Sequence, residues 1–104
     1  MYSITVTIGR NVSDIPMPDQ RWEEFKRDVQ GTLANYADPS DQAEYADGHG
    51  VWGYVPEQMH KRTLLSNYEP DEVAMMSLSR ELSELARLYG QDAIALTIGT
   101  STLC

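Results

Sequence analysis

Residues Tyr2 to Ile8 alternate strictly, with Tyr2, Ile4, Val6 and Ile8 on one side and Ser3, Thr5 and Thr7 on the other. A period of two with β-branched residues specifies a strand with one buried face. Near the other end, Asp92-Ala-Ile-Ala-Leu-Thr-Ile98 repeats the pattern, and Thr7-Ile8-Gly9 is echoed by Thr97-Ile98-Gly99. Two matched strands explain the echo better than a true repeat. A chain with a half-buried strand near each end must supply, between them, the layer that covers both.

Two helical stripes supply it. Between Asp19 and Tyr36 the apolar positions Trp22, Phe25, Val29, Leu33 and Tyr36 recur in steps of three and four, one face of an amphipathic helix. Glu23 can meet Lys26 and Arg27 on the opposite face. Arg10 to Pro18 reads as a loop, and Ala37-Asp-Pro-Ser40 breaks the helix. A second helix starts after Pro70, where Asp71 and Glu72 complement the N-terminal dipole, and stops at Gly90. Its expected stripe is Val73, Leu78, Leu82, Leu85 and Leu88 or Tyr89.

The middle of the chain predicts a hairpin. Gln42 to Ala46 forms a short strand, Asp47-Gly-His-Gly50 a turn, and Val51 to Val55 a returning strand, with a further turn at Pro56-Glu57. Lys61 to Asn67 reads as an edge strand or an extended linker. The element order is therefore β-α-β-β-α-β. It specifies an α+β fold of split βαβ, ferredoxin-like type, one domain over 1–104, with an antiparallel sheet and two helices on one face. The first and last strands are expected to pair at the sheet centre. Ser3, Thr5, Thr7, Ala93, Ala95 and Thr97 then make a flat open face, which predicts a homodimer through that face or an edge strand.

Charge limits the partners. Sixteen acidic residues against eight basic ones give a formal charge of −8. That field repels phosphate surfaces, so neither direct nucleic-acid binding nor a membrane partner is expected. No apolar run approaches a membrane span, and the single cysteine, Cys104, permits no disulfide within the chain. The location expected is cytoplasmic.

Asn35 to Glu57 contains five acids and no Lys or Arg, interleaved with Tyr36, Tyr45, Trp52 and Tyr54. Acids supply rate and orientation toward a basic protein surface, while aromatic anchors supply affinity. Asp38, Asp41, Glu44, Asp47, Trp52 and Tyr54 are the candidate contacts. Arg10 and Asn11, just after the first strand, are candidates for holding a small anionic group, with Trp52 or Tyr54 stacking on a ring. His60 and Glu57 are the one acid–base pair easily drawn for a hydrolase. No Ser elbow, phosphate loop or dinucleotide glycine run accompanies them. No zinc or calcium spacing occurs, so no metal, cofactor or catalytic residue is assigned.

The runs Ile8-Gly-Arg-Asn-Val12, Pro16-Met17, Trp22-Glu-Glu-Phe25, Gly50-Val-Trp-Gly53 and Tyr89-Gly-Gln-Asp-Ala-Ile-Ala95 resemble short uncharacterised proteins of tailed bacteriophages. The resemblance implies a viral setting and the cytoplasm of a bacterial host, and carries no activity across. Small acidic proteins in that setting often bind and inhibit host machinery. The first expectation is therefore a non-enzymatic acidic binding protein, an inhibitor of a basic host defence protein. The alternative is a sponge or sensor for a nucleotide-type ligand, and the third reading is the His60/Glu57 hydrolase.

Overall fold

The computed structural model describes residues 1–52 and 54–100. Cys104 and the side chain of Trp52 lie outside the described residues. The chain runs β1 (Tyr2–Gly9), β2 (Asn11–Val12), β3 (Ile15–Pro16), α1 (Asp19–Ala34), β4 (Gln42–Trp52), β5 (Val55–Ser66), α2 (Glu72–Leu88) and β6 (Ala95–Thr100). The four long strands form one antiparallel sheet in the order β4-β5-β1-β6. This is the split βαβ arrangement of ferredoxin-like type. β2 and β3 make a two-stranded ribbon in the segment expected to be a loop. Ser13 and Asp14 join them, both at positive φ (48° and 66°), the backbone that a tight two-residue hairpin turn demands.

The helices cover the face expected of them. Ile4, Val6 and Ile8 of β1 are buried against Trp22, Phe25, Val29 and Leu33 of α1, and against Leu78 and Leu82 of α2. Phe25 stacks on Tyr89 with centroids 4.5 Å apart, and Trp22 meets Phe25 edge-on. Most of the expected α2 stripe faces the core, with Leu85 partly buried against it. Leu78, Leu82, Ala86 and Tyr89 are buried, whereas Val73 and Leu88 are exposed. Asp71 caps α2 by accepting from the Ala74 N–H (2.9 Å). At the other end Gly90 adopts φ 69°, and the Gln91 and Gly90 amides donate to the Ala86 and Arg87 carbonyls. These two hydrogen bonds close the helix end through a left-handed residue, a conformation glycine adopts at no steric cost.

Three expectations about the sheet are corrected. The centre is β1 with β5, and the last strand, which does pair with β1, is an edge. The segment 61–67 is neither edge nor linker: it is mostly the second half of β5, because Ile4 and Val6 across from Leu64 and Arg62 extend the buried face onto it. The turns expected at 47–50 and 56–57 are continuous strand, and the chain reverses between Trp52 and Val55. Glycines at 48 and 50 leave no side chain to pack, but pairing to β5 holds them extended all the same. Ala93 precedes β6. The open face is built instead from Ser3, Thr5, Thr7, Ala95 and Thr97 together with Glu44, Lys61, Thr63 and Leu65, and Thr5 and Thr63 share a hydroxyl hydrogen bond (3.0 Å).

Candidate functional site

The end of β1, the ribbon β2–β3, the start of α1 and the outer part of the β4–β5 hairpin meet around two adjoining hollows. The larger, about 570 Å³, is lined by Arg10, Asn11, Asp14, His49, Glu57 and Gln58, with Pro16, Val55 and Pro56. The smaller, about 360 Å³, lies toward α1 and is lined by Trp22, Glu23, Lys26, Asp47, Gly48 and Met59, sharing Arg10, His49 and Gln58 with the first. Both volumes fall in the range of small-molecule sites, about 300–1,000 Å³.

Arg10 divides them. Its Nε donates to the Met17 carbonyl (2.7 Å), Nη1 to Gln58 Oε1 (2.6 Å) and Nη2 to Asp19 Oδ1 (2.6 Å). Three of the five guanidinium N–H groups therefore hold the site together, and two remain for a ligand. Asn11 is similarly engaged: its amide donates to Glu57 Oε1 (2.8 Å), and its carbonyl accepts from Gln91 Nε2 (2.8 Å). The Glu57 carboxylate lies flat over Gly9, where an added Cβ would sit 2.3 Å from Oε1. Glycine at 9 leaves that carboxylate its place at the wall of the larger hollow.

His60 and Glu57 do not form a pair. Three residues apart on a strand, their side chains point to opposite faces: Glu57 lies opposite Gly50 on the open side, His60 opposite Ile8 on the helix side. The partner of His60 is Asp47, its neighbour across the hairpin, with Nδ1 2.6 Å from Oδ1. Arg62 Nε donates to His60 Nε2 (3.0 Å). Because guanidinium can only donate, Nε2 is the acceptor, and the ring proton sits on Nδ1, facing Asp47. Buried to 2 % exposure with both nitrogens occupied, His60 is a fixed support and no hydrolytic base. The hydrogen bond from His60 holds the Asp47 carboxyl below the ordinary carboxylate range, opposed by burial and aided by the charges of Lys26 and Arg62.

The four acids of the middle segment are dispersed. Asp38 accepts from the Ser40 amide and hydroxyl, and Asp41 Oδ2 accepts from the Asp38 amide, so both stabilise the turn after α1. Glu44 lies on the open face opposite Thr63, and Asp47 on the helix side opposite His60. The acids therefore form no single docking patch. Tyr54 is fully exposed in the reversal of the hairpin and is not on a strand beside Trp52. Lys26, Trp22, Asp14 and Gln58 were not singled out for this site. Trp22 is core, as its place in the stripe implies, and it lines the smaller hollow together with Lys26 because α1 lies over β5 and leaves β4 uncovered beside it.

No family model matches the chain, and no curated protein matches its sequence. Solved structures do share its fold. A phage SAM lyase in the apo state superposes with a TM-score of 0.60 at 16% identity, covering 94% of this chain and 78% of the other. A phage SAM lyase in complex with S-methyl-5'-thioadenosine gives 0.58 at 14%, covering 94% and 79%. At these identities the likeness shows a common fold. It also overturns the expectation that a chain of this architecture is non-enzymatic, since the fold it shares is that of an enzyme.

Proposed function

We propose that this chain binds an adenosine ligand of the S-adenosylmethionine class in the larger hollow and cleaves its sulfonium. The observation that supports this reading is the fold shared, over 94% of the chain, with a phage SAM lyase seen both empty and with a nucleoside thioether. It takes up the nucleotide-type alternative, with a cationic centre in place of the anionic group. A sulfonium is a cation, and the larger hollow holds two carboxylates, Asp14 and Glu57, against the one guanidinium of Arg10. The chain's formal charge of −8 raises the local concentration of such a ligand.

The chemistry asks little of the protein. When the sulfonium carbon–sulfur bond breaks, the bond pair goes to sulfur, which leaves as a neutral thioether. The carbon chain must then be satisfied from within the substrate, by loss of a proton or attack of its own carboxylate, because a lyase adds no water. No protein nucleophile is needed, and neither hollow is lined by Ser, Thr or Cys among the described residues. Catalysis is then positioning, and where the carbon chain is satisfied by losing a proton, the Glu57 carboxylate at the wall of the larger hollow accepts it. The reading keeps the bacteriophage setting that the sequence resemblance implies, with the host cytoplasm as the place of action. Among the described residues no helix is long and apolar enough to cross a membrane.

Purified protein incubated with S-adenosylmethionine should release S-methyl-5'-thioadenosine, detected by chromatography, and Glu57→Gln should slow release by about tenfold or more. Absence of the thioether under any condition that keeps the protein folded would overturn the lyase reading.

A further inference from the structure

The smaller hollow has a different charge balance from the larger. Its walls carry two cations, Arg10 and Lys26, and two carboxylates, Glu23 and Asp47. A balanced set of opposite charges suits a zwitterion and disfavours a phosphate or a simple cation. Lys26 approaches from α1 with its side chain only 17% exposed, its Nζ 2.8 Å from Glu23 Oε1 and 5.5 Å from the Trp22 ring centroid. Asp47 approaches from β4, on the opposite wall. Its carboxylate is fixed by the buried His60, which is fixed in turn by Arg62. A polar chain of three residues, with a buried histidine at its centre and an exposed carboxylate at a cavity wall, is an expensive way to hold a surface group. It makes sense where the carboxylate must keep one direction.

We infer that the smaller hollow reads the α-amino acid end of the ligand: Asp47 accepts from its ammonium, while Lys26 and the two remaining N–H groups of Arg10 donate to its carboxylate. The inference rests on the nucleoside reading above, and the shared wall of Arg10, His49 and Gln58 makes the two hollows one continuous site. The ribose and sulfur of the ligand span the Arg10–Gln58 divide. Glu23 can yield Lys26, because the Glu23 carboxylate is 61% exposed and water replaces the ammonium there.

The test separates the amino acid end from everything else. S-adenosylhomocysteine and S-methyl-5'-thioadenosine are both neutral thioethers of adenosine, and only the first carries an α-amino acid. Calorimetric titration of the unmodified protein should show tighter binding of S-adenosylhomocysteine. Asp47→Asn and Lys26→Gln should each remove about tenfold of that advantage or more, the equivalent of at least one lost charge-assisted contact. Binding of S-methyl-5'-thioadenosine should stay within about twofold, which also reports that each variant is folded. Equal affinity for both ligands in the unmodified protein would overturn the inference and leave the nucleoside reading standing. So would an advantage that survives both substitutions, or a parallel loss of both ligands. If the unmodified protein binds neither compound, the nucleoside reading itself falls and takes this inference with it.

Discussion

The two strands of the central hairpin are neighbours of nearly equal length, yet they live in different solvents. Along β5, His60, Leu64 and Ser66 are buried at intervals of even spacing on the face the helices cover. Along β4, every residue from Gln42 to His49 is exposed, on both faces. Only the strand directly beneath the helices acquires a dry face; one strand further out, α1 no longer reaches. Packing there is replaced by polar contacts that span the hairpin, Asp47 to His60 and Arg62 over the Tyr45 ring at 5.2 Å. The same gap between α1 and β4 that leaves the strand wet is what opens the smaller hollow. The difference teaches that an uncovered edge can be the price of a site beside it.

The strongest way to break this comparison is to truncate one side chain on each strand. Leu64→Ala should destabilise the protein by about 2–5 kcal/mol, through lost transfer energy and the cavity left behind. Tyr45→Ala, at a position 68% exposed, should cost about 1 kcal/mol or less. Urea unfolding curves measure both, and equal losses would mean that β4 is covered in solution.

A smaller effect belongs to the polar contacts. His60→Leu should cost about 1–2 kcal/mol, since Asp47 and Arg62 lose their partner but can regain water. It should also change the response to acid. The His60 hydrogen bond lowers the Asp47 pKa in the folded state, so the folded protein takes up that proton less readily than the unfolded chain. The resulting stabilisation is complete above the ordinary carboxylate value near 4 and fades as pH falls through the lower folded-state value. Melting temperatures recorded from pH 6 to pH 3 should therefore fall less steeply in His60→Leu than in the unmodified protein. Asp38, lowered by the hydrogen bonds from Ser40, titrates in both proteins and does not affect the difference. Identical slopes would show that the Asp47–His60 contact is absent in solution.

The smallest effect sharpens the picture of β4 itself. A Cβ added at Gly48 meets nothing within 4 Å, so Gly48→Ala should raise stability by about 0.4–1 kcal/mol by restricting the unfolded chain. A clear loss in thermal unfolding would place something against that position that the exposed strand does not show.

Local patterning was enough for the elements whose periodicity is enforced by burial. The alternation of Ile4, Val6 and Ile8 and the stripe Trp22, Phe25, Val29 and Leu33 each state one buried face, and the element order that follows leaves few ways to cover both end strands. That much the sequence determined by itself. It did not determine the length of the hairpin, because Asp47-Gly-His-Gly50 has turn composition, and only pairing to β5 over eleven positions holds it extended. Nor did it separate Val73 and Leu88 of α2, which are exposed, from Leu78, Leu82 and Tyr89, which are as apolar and buried. The site was least legible. Arg10 and Asn11 were visible as a strand-end pair, but their partners Gln58, Asp19 and Glu57 lie across the fold. Asp47 and His60, thirteen residues apart, meet only because the hairpin register sets them opposite each other. A periodic pattern records which face meets the core; the convergence of polar groups from β1, β4, β5 and α1 depends on distances between elements, which no local pattern encodes and only the packed structure fixes.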